Sequence, residues 1–461
     1  MGHLTATNKK SMINDLTEGS VSKLLFKFAW PFMLSNLLQT VYNMVDMVIV
    51  GRYVGEGGVT SVAMGGEVMM FFTFFCLGFV NAGQVLISQY VGKKDYQSVS
   101  KTIGMLFTIM LIMGVIITGL GLGLSAPILR LLQVPDAAMQ GAVDYTRICF
   151  TGIIFIFGYN GISAIMRGMG DSKHPLIFIV ISASLNVVLD LICVKGLRMG
   201  AGGAALATVI SQGVALVAAL VFLVKNKEAF GFDFKLKSFG IEGYILKRVL
   251  KLGIPMVLQI SAISISMMVV NAYINSYNVV AYSDITAIGN KLGNIMNIVT
   301  GGLSAAGSGM IGQNIAAGKP ERVSKVVTII TLLGLIFAAL LSLLMIFWPS
   351  EIFSIFTSDT EVQGLAKTYV WVAVINFFGF ATRAPAMALI NGMGFAALAF
   401  VAGILDGVVI RIGLALLLGL VFGMGIYGFW YGMVIAGHAF GIVGAIYFFS
   451  GKWKTKKAII E

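Results

Sequence analysis

Asp46 and Asp190 are the residues of this chain best placed to do chemistry. Asp46 is the only charge among the 24 residues between Lys27 and Arg52, and Asp190 is the only one between Lys173 and Lys195. Both runs are otherwise apolar enough to span a bilayer. A lone carboxylate at the centre of a spanning helix costs roughly 2.5–3.5 kcal/mol, so it faces a protein interior or a wet cavity and marks ion or substrate handling. Asn186 stands four residues before Asp190, and Tyr42 four before Asp46, so each pair shares a helix face. Asn36, Gln39, Asn43, Tyr145, Asn160 and Thr208 are further polar residues within or at the edge of first-half spans. Oxygens of carboxylate, amide and hydroxyl type can coordinate Na⁺, whereas a desolvated carboxyl can hold a proton. Desolvation favours the neutral carboxyl and a bound Na⁺ favours the charged one, so the two ions would compete for one site. Ordinary interhelical hydrogen bonding accounts for Asn43, Asn160 or Thr208 taken singly. It accounts poorly for two uncompensated aspartates.

The second half offers Gln259 near the start of the seventh span, Arg383 in the tenth, and Asp406 five residues before Arg411 in the eleventh. The last two are expected to pair. Arg383 has two readings, a cavity lining or a side chain snorkelling to an interface. Cys76, Cys149 and Cys193 lie in apolar runs without metal-ligand spacing, and read as small buried residues.

The elements that must position these groups follow from composition. The chain has 461 residues, of which 58% are hydrophobic and 11% charged, against about 25% charged in soluble domains. A soluble core could not hide so many apolar side chains, so lipid is the solvent for most of them. The net charge of +12 lies at the ends of apolar runs rather than in one basic stripe, which excludes a nucleic-acid partner. A span needs about 20 apolar residues. The charges punctuate the chain into twelve such runs near 28–50, 62–91, 103–126, 146–166, 175–195, 200–224, 252–282, 290–317, 327–349, 367–390, 396–418 and 423–449. With the N-terminus inside, 23 of the 32 Lys and Arg fall on the cytoplasmic side, seven outside, and Arg383 and Arg411 within helices. That asymmetry predicts a multi-pass protein of the inner (cytoplasmic) membrane with both termini in the cytoplasm.

The two halves also repeat at an offset of 224. Lys27–Pro31 aligns with Lys251–Pro255, Gln89 with Gln313, Val99-Ser100-Lys101 with Val323-Ser324-Lys325, and Gly168-Met169-Gly170 with Gly392-Met393-Gly394. Six spans per half make the repeat parallel, about an axis along the membrane normal. The expected fold is all-α and membrane-integral: twelve transmembrane helices in two six-helix bundles related by that pseudo-two-fold axis. Residues 1–224 form the first lobe, 225–250 a cytoplasmic linker and 251–461 the second lobe. Rocking of such lobes about a cleft is a transporter device. At the same offset Asp46 maps to Val270 and Asp190 to Leu414. The carboxylates are therefore not copies that the fold requires, which points to ion coupling in the first half. Pro31 and Pro255 read as first-turn prolines of spans 1 and 7.

The stretches WPFMLSNLLQTVYNMVDMVIVGRYVG, SQYVGKKDYQSVSKTI, MRGMGDSKHP, NVVLDLICVKGLRMGAGGAALAT and GQNIAAGKPERVSKVV resemble the multidrug and toxic compound extrusion (MATE) family over nearly the whole length. The resemblance implies a cation-coupled exporter of amphipathic, often cationic, small organic compounds, with Na⁺ or H⁺ as coupling ion and no cofactor. In the DinF-like branch the functional cluster lies in the N-lobe, and its motifs fall here on Asp46, Asn186, Asp190 and Thr208. Tyr42, Asn43, Tyr145, Asn160, Gln259 and Arg383 are the candidate substrate and cavity residues. The NorM-like branch carries acids on helices 7 and 10, where this chain has Gln259 and no acid, which favours the DinF-like type. A lipid-linked precursor or polysaccharide flippase of the same superfamily is the alternative. A channel would carry a repeated filter and a receptor an extra soluble domain, and neither is visible. No HExxH or GxSxG motif supports an enzyme. The expected partners are substrate and membrane lipid, with the chain acting as a monomer.

Overall fold

The computed structural model describes residues 12–55, 57–357 and 359–460; Lys9 and Lys10, counted above as cytoplasmic, lie outside the described residues. In chain order the long helices are α1 (Val21–Tyr53), α2 (Gly58–Gly92), α3 (Tyr96–Leu131), α4 (Asp136–Thr151 and Ile153–Gly168), α5 (Lys173–Asp190) and α6 (Gly200–Lys225). The second half follows with α7 (Gly243–Asn275), α8 (Val280–Ala316), α9 (Pro320–Phe347), α10 (Thr360–Gly392), α11 (Ala396–Val421) and α12 (Ile426–Phe449). Among the described residues no segment is a strand.

Ten of these helices are long and apolar enough to cross a membrane, and α4, bent by 52° at its break, makes eleven. The twelfth is α8, which is 37 residues long but rich in Gly and Asn. Its small residues serve close packing within the second half. A Cβ at Gly289 would come within 2.3 Å of the Tyr369 hydroxyl, and one at Gly293 within 2.8 Å of the Asn376 amide. Such contacts take the place of lipid-facing hydropathy. The fourth span begins at Asp136 rather than near 146, because Asp144 and Arg147 sit inside a helix that starts just after Pro135. It bends at Gly152, where a Cβ would strike the Val209 side chain of α6 at 2.3 Å.

The helices form two compact units. The first comprises Leu34–Leu250 with the stretch ending at Asp15, and the second comprises Lys251–Glu461 with Leu16–Met33. Helix α1 therefore starts in the second unit and continues in the first, and α7 does the reverse at Leu250. Two motifs of the repeat hold these starts. In the second unit Arg322 donates to Asn314 Oδ1 (2.8 Å) and to the carbonyls of Leu16, Glu18 and Gly19, while Gln313 Oε1 accepts from Leu16 N–H at 2.9 Å. In the first unit Arg248, at the start of α7, donates to the Tyr90 hydroxyl at 2.6 Å. Pro31 lies well inside α1 and Pro255 inside α7, not in their first turns. The helices begin earlier than hydropathy suggests, because Lys23, Lys27, Lys247 and Lys251 ride on their polar ends.

The repeat expected from sequence recurs in the packing of each unit. Gly65 faces Tyr145 as Gly289 faces Tyr369, and Gly83 faces Leu106 as Gly307 faces Ile330. A Cβ at Gly168 would meet Ile87 and the Gln84 carbonyl at 2.8–2.9 Å, and one at Gly392 would meet Ile311 and the Ser308 carbonyl at 2.8 Å. Every one of these pairs is related by the offset of 224. Because the obstruction at Gly168 and Gly392 includes backbone, neither site can relax by moving a side chain alone. Gly168→Ala and Gly392→Ala are each expected to lower stability by about 1–3 kcal/mol, read as a lower thermal midpoint of the purified protein. An unchanged midpoint for both would contradict this packing.

Candidate functional site

Within the first unit, α1, α5 and α6 bring together most of the polar residues singled out above. Asp46, Asn186 and Asp190 are all buried. The carboxyl groups of Asp46 and Asp190 lie beside each other. Two desolvated carboxylates side by side repel, which favours a proton on one of them or a cation between them. Asp46 Oδ1, both oxygens of Asp190, Asn186 Oδ1 and Gln212 Oε1 are buried and have no hydrogen-bond partner among the described residues. The Asn186 amide directs its NH₂ to the Thr208 hydroxyl at 3.5 Å, which leaves its oxygen free to accept.

Local geometry explains the depth of Asp190. It ends the α-helical part of α5, and the chain continues as a π-turn from Leu191 to Gly196. Such turns break the regular i→i−4 ladder and recur at functional sites. The small residues that open α6 let it approach this turn. A Cβ at Gly203 would lie 3.1 Å from the Cys193 backbone.

The Tyr42 hydroxyl lies beside Gln39, Gln212 and Asp46. Gln212 was missed in the sequence, although it stands one helical turn after Thr208 and so shares its face. Tyr145 lies beside Cys149, in the electrostatic field of Asp46. Its packing on Gly65 is duplicated by Tyr369 on Gly289, which marks its position as part of the fold. Asn160 donates to Ile156 O of its own helix at 2.8 Å. Asn43 is exposed.

The second unit has a different charge pattern. Gln259 is buried against Gly403 of α11, and its Nε2 has no partner among the described residues. Arg411 pairs with Asp406 at 2.7 Å, as the sequence suggested, and Arg383 joins them at 3.4 Å. Residues 405–412 form a π-helix, and this is what makes the five-residue spacing work. On an α-helix such residues lie about 140° apart, whereas the wider turn of a π-helix brings them nearer to one face.

Chemically, the first unit offers two carboxyls and neutral oxygens with no basic partner. Among the described residues no three of His, Cys, Asp or Glu gather to hold a metal. Such a donor set suits a proton or a hard cation with oxygen ligands better than a transition metal. The orphaned oxygens fit a small cation between α1, α5 and α6: it would offset the repulsion of the two carboxylates.

The MatE family profile matches residues 31–192 and 255–417, two segments whose starts are 224 apart. The chain is 34% identical over 309 residues to the probable multidrug resistance protein YpnP of Bacillus subtilis (strain 168), covering 67% of this chain and 68% of that protein. It is 23% identical over 447 residues to the probable multidrug resistance protein NorM of Thermotoga maritima, covering 95% and 94%. A solved structure described as the outward-facing conformation of a multidrug resistance MATE family transporter of the MOP superfamily superposes with a TM-score of 0.85 at 23% identity. The match covers 98% of this chain and 100% of that one. At that identity the structural likeness speaks for the fold.

Proposed function

Because the chain belongs to the MatE family, and so is a multi-pass membrane transporter rather than an enzyme, we infer that it is a cation-coupled antiporter. It exports amphipathic or cationic organic compounds by alternating access, in exchange for Na⁺ or H⁺. Export of drugs is supported by the relatives, which are named as multidrug resistance proteins. Cation coupling is supported by one observation above all: two buried, base-free carboxyls, Asp46 and Asp190, in mutual contact. A cation entering from outside either neutralises the pair as bound Na⁺ or does so as a proton. Either change alters how α1 holds α5, and so couples occupancy to conformation. The Lys and Arg asymmetry supports a cytoplasmic-membrane setting with both termini inside, and the chain works as a monomer.

The driving force is adequate. One charge crossing 100 mV supplies about 2.3 kcal/mol, and each tenfold ion gradient adds about 1.4 kcal/mol. The test is efflux of a fluorescent organic cation from proteoliposomes under separately imposed Na⁺ and pH gradients. One gradient should drive transport and its collapse should stop it; efflux indifferent to both would overturn the reading. Asn186→Leu removes a neutral oxygen but leaves both carboxyls. It is expected to raise the half-saturating concentration of the coupling ion about tenfold, a loss of about 1.4 kcal/mol, with little change in maximal efflux.

A further inference from the structure

The second unit holds a charge imbalance that cation coupling leaves unused. Asp406 is fully buried and gives one oxygen to Arg411 at 2.7 Å; Arg411 also donates to Met433 O at 2.8 Å. Arg383 stands 3.4 Å from the other oxygen, and its guanidinium lies 5.7 Å from the Phe440 ring. The Nε atoms of Arg383 and Arg411 are buried and have no hydrogen-bond partner among the described residues. Apart from Asp406, the only acid in α10, α11 and α12 is Glu361, in the first turn of α10. Guanidinium does not lose its proton in proteins, so the cluster carries one positive charge in excess.

An unpaired buried charge is costly, and a guanidinium is shaped for the two oxygens of a carboxylate. Arg411 is committed at both of its terminal nitrogens, whereas Arg383 makes one long ion pair. Arg383 is also the member that remains reachable, with 17% of its side chain exposed against 7% for Arg411 and none for Asp406. At the repeat offset Arg383 corresponds to Tyr159, so the fold does not require a cation there. We propose that Arg383, backed by Arg411 and Asp406, is a binding site for the carboxylate of an organic amphiphile. Resting on the transporter reading, this extends the cargo to zwitterionic and anionic compounds: the first unit handles positive charge and the second receives negative charge.

The test is equilibrium dialysis of the full chain in neutral detergent against 1-naphthoate and its uncharged analogue 1-naphthamide. The wild-type protein is expected to bind the carboxylate at least tenfold more tightly than the amide. Arg383→Gln should erase that preference. It leaves a neutral Arg411–Asp406 pair, so its thermal midpoint should hold or rise. Arg383→Lys, which keeps the charge but loses the fork, should retain part of the preference. Equal or undetectable binding of both probes, or a preference that survives Arg383→Gln, overturns the site. Displacement of naphthoate by phosphatidylglycerol in the wild type would support the same anion chemistry with a lipid headgroup as its source. Asp190→Asn should keep the naphthoate preference, so failure of cation coupling and failure of this site are read separately.

Discussion

Asp190→Asn is expected to abolish ion-driven efflux while the protein inserts and folds as before. The introduced amide can donate to Asp46, so α1 and α5 can stay in contact without a carboxyl proton. Replacing a desolvated acid by an amide of the same shape does not weaken the buried site, so the thermal midpoint should fall by no more than a few degrees. The amide can neither release a proton nor balance a cation. With 100 mV and a tenfold ion gradient the wild type has about 3.7 kcal/mol per ion available, enough to sustain a substrate gradient of two to three orders of magnitude. In the variant that gradient should collapse to the passive level. The measurement is substrate accumulation in proteoliposomes at matched protein content. Wild-type accumulation by both Asp190→Asn and Asp46→Asn would remove these residues from coupling.

The second large effect concerns stability. Asp406→Leu removes the carboxylate that Arg383 and Arg411 share and leaves two guanidiniums side by side in the interior of the second unit. Loss of one partner from a buried ion pair costs about 3–5 kcal/mol, and repulsion between the remaining charges adds to it. The variant should give a much lower yield of folded protein and a strongly lowered thermal midpoint. Arg383→Gln, which balances the cluster, should not. The ordering of the two variants is the informative result. If Asp406→Leu were as stable as Arg383→Gln, the carboxylate would not be holding the cluster together.

Much of the fold was legible in the sequence because membrane insertion is decided segment by segment. Charges at the ends of apolar runs marked the helices, and Lys27–Pro31 against Lys251–Pro255 marked the repeat. The boundaries were less legible. The expected starts at 28 and 252 fell inside helices that begin at Val21 and Gly243, since a polar helical turn outside the lipid leaves no trace in hydropathy. For the same reason α8 shows how a helix packed mostly on protein can be less apolar than its neighbours. The site was half legible. Asp46, Asp190 and Asn186 stood out by type and depth, whereas Gln212, which lies beside Tyr42, was marked only by its spacing from Thr208, and nothing marked Asn43 as exposed.

The sequence by itself determined that two acids are buried without a base, because a lone carboxylate in an apolar run is an energetic fact of that run alone. It also determined that neither acid is repeated. Only the tertiary structure decided that Asp46 meets Asp190, that Arg383 joins Asp406 and Arg411, and that a π-helix brings the last two into line. The reason is rotational. Hydropathy records how deep a residue lies in the membrane but hardly which way it faces, since the lipid-facing and protein-facing sides of a spanning helix are both apolar. One inserted π-turn changes that facing without changing the composition.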